Sequence, residues 1–190
     1  MLPEHEAHTR TRLESFSDIV FGFSLAQLAI ALPAPSAISH LRLFDIFVFI
    51  AAFAFVSFVW WRHHLIFRDY FVPEIASIVL NFVMLAAVAL TTYAIEVQTR
   101  GNLATPAVVL YAAVVGSIFV TMAAMTHRGL LLREHLSAES VRGGKRQRLM
   151  FGLVGGIFLA SIALLPLGVD YVLGAWFVAV LARLLARTFT

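Results

Sequence analysis

Adjacent histidines at 63 and 64, an aspartate at 18 and two amides, Gln27 and Asn81, are the residues of this chain best suited to chemistry in an apolar setting. Imidazoles ligate metals and haem, carry protons or hold a quinone, and a nearby carboxylate tunes their charge. Spacing argues against one shared metal, because neighbours on a helix point about 100° apart and no second spaced histidine motif completes a site. The chain has no cysteine, which removes disulfides, thiolate metal sites and iron–sulfur clusters. His63 and His64 are therefore expected to be hydrogen-bonding groups. A membrane haem or quinone enzyme built on them beside Asp18 is the competing reading. The expectation is no enzyme, no metal and no cofactor.

Gln27 is harder to assign to packing alone. It sits near the middle of an apolar run that ends at Leu32, where an unsatisfied amide costs several kcal/mol, so it must meet another helix or water. On an ideal helix Arg12, Phe16, Ile19, Phe23, Gln27 and Ile30 fall within about 40° of a common direction. Ser17 and Asp18 point away from that stripe. The polar pair is expected to bond to neighbouring helices while the stripe faces lipid or a central axis. Ser15 and Asp18 also fit a capping box at a helix start, a purely structural role. Asn81 needs a partner too, and Trp60 and Trp61 read as anchors at a membrane interface. Gly152 and Gly156 form a G-x-x-x-G pair that would allow close helix approach.

These residues must be positioned by helices in a bilayer. Of 190 residues 61% are hydrophobic and 13% charged, and the mean hydropathy is +0.88. A soluble domain of this size has no way to hide so much apolar surface. At about 20 residues per crossing, apolar runs bounded by charges, Gly and Pro predict an all-α protein with six transmembrane helices, near 16–32, 43–61, 72–95, 106–126, 149–167 and 171–187. Pro33 and Pro35 end the first, Pro73 and Pro106 open the third and fourth, and Pro166 with Gly168 makes a tight turn that pairs helices five and six. The charged first fifteen residues lack the apolar core of a signal peptide, so the first run is expected to stay as an anchor. Residues 1–190 read as one domain.

Charge sets the expected orientation. Twelve of the 14 Lys and Arg fall on one face with both termini, leaving only Arg42 and Arg100 opposite. Both termini are therefore expected in the cytoplasm. Six of the twelve (Arg128, Arg133, Arg142, Lys145, Arg146, Arg148) crowd a 128–148 loop that could meet anionic lipid headgroups. So short a loop is not expected to bind nucleic acid.

Arg12, Phe16, Ser17 and Asp18 spell R-x-x-x-F-S-D, which resembles the motif opening helix one in the transmembrane protein 175 family of potassium channels. Trp60, His63 and His64 are similar to that family's W-x-x-H-H in helix two, and Asn81 sits where its third helix commonly has an asparagine. The resemblance implies a multi-pass cell-membrane protein, a homotetramer in which four copies of helix one line a pore for potassium. No T-V-G-Y-G filter segment occurs in the chain. It further implies that Arg12, Phe16, Ser17, Asp18, Trp60, His63 or His64 and Asn81 form a network holding helix one without touching the ion. The family's constriction, an Ile or Leu five residues past the motif aspartate, falls on Phe23, with Ile19, Gln27 and Ile30 along the same lining. Phe23, Ala26 and Gln27 depart from the family pattern, so a weakly selective cation or proton channel is the alternative to a potassium leak.

Overall fold

Among the described residues the chain forms six α-helices: α1 (Glu4–Ile30), α2 (Leu43–Asp69), α3 (Ile75–Arg100), α4 (Thr105–Leu132), α5 (Ala138–Ser161) and α6 (Val169–Thr188). This computed structural model describes residues 4–30, 43–100, 103–133 and 136–188, with side chains as far as Ala179. Pro33, Pro35 and Arg42, and the side chains of Arg183 and Arg187, lie outside the described residues. Among the described residues there is no strand. The first five helices are long and apolar enough to cross a bilayer, α5 doing so together with a 3-10 segment at Ile162–Leu167. The sixth is apolar from Val169 to Ala179. The protein is a multi-pass membrane protein.

Local chemistry explains the helix ends. Pro106 stands in the first turn of α4, where its missing N–H removes no helical bond. Ser137 caps α5 by accepting the Ser140 backbone N–H at 3.1 Å. Pro166 and Gly168, whose φ of 125° suits glycine, turn the chain into α6, so that α5 and α6 pair as expected. Helix α3 begins later than the sequence suggested. Glu74 caps it, accepting the Ala76 and Ser77 N–H groups at 3.0 and 2.9 Å, and residues 70–74 make a tight connection instead of helix. The same carboxylate accepts Arg128 Nε from α4 at 2.9 Å.

Helices pack in a sequential chain, α1 against α2 and α3, α3 against α4, α4 against α5 and α5 against α6. The tightest seam is α4–α5, and its glycines differ from those the sequence singled out. A side chain at Gly116 would lie 2.6 Å from Leu159, and one at Gly155 would lie 2.8 Å from the Val120 backbone. Gly152 and Gly156 meet nothing closer than 4.0 Å. The close approach therefore runs through Gly116 and Gly155, which face the partner helix, with Gly144 of α5 against Leu130 of α4 nearer its other end.

The 128–148 segment is not the loop expected. Arg128 lies in the last turns of α4, and Arg142, Lys145, Arg146 and Arg148 ride the first turns of α5. Only residues 133–137 separate the helices. Into this corner docks the α2–α3 connection. The backbone of Tyr70 lies against Gly129, the Tyr70 hydroxyl donates to the Ser140 carbonyl at 3.0 Å, and Arg133 donates to the Asp69 and Phe71 carbonyls.

Candidate functional site

Helix α1 has two unlike faces. Ser17, Phe21, Ser24 and Leu28, spaced 4, 3 and 4 residues apart, are buried against α2 and α3. The opposite sector is uncovered in the protomer, with Ile19 69%, Phe23 63% and Ile30 81% exposed. Arg12, Ser15, Gly22, Ala26 and Ala29 are exposed in the same sector, and Gln27 is half-buried at its edge. Phe16 is half covered by an edge contact with Phe82 of α3, ring centroids 5.8 Å apart.

Under the buried face runs a polar seam. Asn81 of α3 is fully buried and serves as its node, its Oδ1 lying 2.8 Å from His63 Nε2 of α2 while its Nδ2 donates to Ser17 Oγ of α1 at 3.3 Å. The Ser17 hydroxyl donates in turn to the Leu13 carbonyl at 2.8 Å. One asparagine thus ties three helices together, and each of its amide atoms has a partner, as a dry interior requires. His63 is also enclosed by Phe67 and Phe21, with ring centroids at 4.4 and 5.5 Å and the ring planes tilted by 39° and 51°. No macrocycle fits against the His63 imidazole, which is buried on both faces.

Two further bonds pin α1 to α2. Trp60 Nε1 donates to Asp18 Oδ1 at 2.8 Å, and His64 Nδ1 meets Glu14 Oε1 at 3.1 Å. Trp60 is more than an interface anchor, because its indole N–H is committed to the aspartate. Ser15 and Asp18 are not a capping box. The helix starts at Glu4, three turns earlier, so both stand in its interior.

The structure therefore brings Ser17, Asp18, Trp60, His63, His64 and Asn81 together, with Phe16 at their edge. It leaves Arg12 exposed on the uncovered sector, apart from the seam within one protomer. Sequence reading missed Glu14 as the partner of His64, and also Ser24, whose carbonyl accepts the Thr92 hydroxyl at 3.5 Å. The buried spacing of Ser17, Phe21, Ser24 and Leu28 was the available signal, masked by the more conspicuous stripe on the other side.

Comparison with known proteins bears out the resemblance. Residues 12–91 match the family described as the endosomal/lysosomal potassium channel TMEM175. Over 93 residues the chain is 26% identical to a protein of Marivirga tractuosa named potassium channel, a match covering 48% of this chain and 38% of that relative. The matched region is thus well under half of the relative's length. Among solved structures, the crystal structure of a single-site variant of the potassium channel MtTMEM175, in complex with a nanobody–MBP fusion protein, superposes with a TM-score of 0.69. That likeness covers 93% of each chain at 18% identity, so the fold is shared well beyond the matched sequence. These likenesses are to channels and not to enzymes.

Proposed function

We propose that this chain, whose residues 12–91 match the TMEM175 potassium channel family, assembles as a homotetramer around a potassium-permeable leak pathway lined by four copies of α1. The observation that carries this reading is the uncovered sector of α1. Within the span that face carries Ile19, Gly22, Phe23, Ala26 and Ile30, with the Gln27 amide at its edge and Arg12 and Ser15 at its start, and an amide at mid-span favours a water-filled or helix-lined axis over lipid. The small residues Gly22 and Ala26 let helices approach closely about an axis. The polar seam behind gives α1 a stiff backing.

Phe23 is assigned the constriction, with Ile19 one turn before it. Four phenyl rings at an axis offer an ion nothing to replace its hydration shell, so a narrow ring expels water and blocks conduction. One turn beyond, four Gln27 amides keep the pathway wet, and Ile30 lines its far end. Opening then requires α1 to widen or rotate. The excess of Lys and Arg on one face supports a cytoplasmic position for both termini. Gln27 favours a second reading, conduction of several cations or protons with weak selectivity, because amide oxygens alone make a poor filter.

Flux into liposomes carrying the purified protein, compared for potassium, sodium and protons, tests both readings. Potassium flux from the wild type is expected, with Phe23→Ala raising it about tenfold or more, since about 1.4 kcal/mol off a barrier is already tenfold. No flux from the wild type would sink the channel assignment. A stable Phe23→Ala tetramer with unchanged flux would sink the constriction alone.

A further inference from the structure

On the flank of the protomer away from α1 lies a groove of about 370 Å³ between α4 and α5, lined by Ala123, Ala124, Gly152, Leu149 and Leu153 and closed at one end by His127 and Arg148. Its walls are almost wholly apolar, and its end is cationic. Arg148 Nη1 lies 3.0 Å from His127 Nδ1. A guanidinium only donates, so Nδ1 accepts and the ring's remaining N–H, on Nε2, is left to point outward. Both side chains are exposed, and among the described residues Arg148 donates to this imidazole and to no carboxylate. The nearest acid along α5 is Glu139, nine residues or about 13 Å of helix away.

We propose that this groove binds one anionic glycerophospholipid per chain, its phosphate held by Arg148 and His127 and one acyl chain lying over Gly152. Depth supports a lipid over a free anion. Arg148 is the last charged residue of α5, with exposed Arg142, Lys145 and Arg146 before it and, after it, a run without charge that is apolar as far as Ala160. It therefore stands at the boundary where a phosphate meets hydrocarbon. Shape supports an acyl chain, because Gly152 keeps the groove floor open, with only the Ala123 methyl within 4.0 Å of a side chain placed there. Position supports lipid over a second copy, since α5 packs on α4 and α6 and stands apart from α1, the helix assigned to the axis. The inference rests on the membrane placement and on α1 at the axis, and not on conduction.

Native mass spectrometry of the full chain in mild detergent tests it, with phosphatidylglycerol and phosphatidylcholine of equal chain length as probes. Phosphatidylglycerol is expected to be retained in preference, and Arg148→Gln to lower its retention about fivefold, the effect of one basic residue near a phosphate surface. Gly152→Leu is expected to lower it as well, with every charge intact, by filling the floor of the groove. Arg142→Gln, outside the groove, is expected to matter less. Equal loss from Arg142→Gln and Arg148→Gln would overturn the site in favour of diffuse surface charge. Displacement of the lipid by inorganic phosphate at similar concentration would also overturn it, as would unchanged retention in Arg148→Gln. Arg148 is exposed, so that variant is expected to fold even where Gly152→Leu does not. The readout needs no ion flux, so failure of the channel reading leaves the outcome intact.

Discussion

The two halves of this bundle are held by different means. In α4, 61% of the most apolar window is buried inside the protomer, against 22% in α1. Helices α4 and α5 meet through glycines with backbones almost touching, so dispersion between close surfaces holds them. Helix α1 is held by a few directional bonds through Asn81, Trp60 and His64, and leaves a broad sector bare. Packing of the first kind leaves no room for a larger side chain at Gly116 or Gly155. Bonding of the second kind fixes rotation while leaving a face free, which is what the pore-lining role proposed for α1 requires.

The comparison breaks most visibly at Gly129. A methyl there would sit 2.0 Å from the Tyr70 carbonyl oxygen, a backbone atom with nowhere to go. Gly129→Ala is expected to destabilise by about 3 kcal/mol or more, or to prevent folding, as read by thermal melting in detergent. A melting curve like that of the wild type would show that the α2–α3 connection is not docked as described.

Asn81→Leu tests the other half. It leaves Ser17 and His63 buried without their partner, and about 1–3 kcal/mol should be lost. If α1 hangs on this node, protease accessibility of α1 should rise while the α4–α5 seam stays protected. Uniform loosening of the whole bundle would erase the distinction between the halves.

Glu74, which joins the halves, gives a smaller effect with a defined pH window. Burial pushes its carboxyl up, but bonds from Arg128, from the Ser77 hydroxyl and from the Ala76 and Ser77 N–H groups outweigh that, bringing it from 4.5 to about 2. A carboxyl lowered on folding stabilises the fold fully above its unfolded value. The contribution is thus present above about pH 4.5 and fades as pH falls through about 2. Wild-type melting temperature should fall across that window more steeply than that of Glu74→Gln. Parallel curves for the two would remove Glu74 as the clamp.

The smallest change is expected at Gly152. Its position is open, so Gly152→Ala should stabilise α5 by about 0.5–1 kcal/mol through helix propensity. Gly155→Ala, three residues on, should do the reverse, and thermal melting of the pair shows which glycine the seam uses.

Much of this protein was legible without coordinates. Hydropathy and prolines set the number of helices and the α5–α6 turn, because a bilayer demands long apolar runs and proline cannot continue a helix. The stripe on α1 and the need of Asn81 for partners followed from helical periodicity and from the cost of a bare amide. Tertiary structure decided who those partners are. Asn81 between His63 and Ser17, Asp18 on Trp60, Glu14 on His64, and Gly155 rather than Gly152 in the seam all depend on how helices are rotated against one another. A single helix carries its periodicity in its own sequence, whereas its rotation is set by the shape and polarity of the neighbour it meets. Arg12 marks the limit of both, since it stands on the face that one chain leaves uncovered.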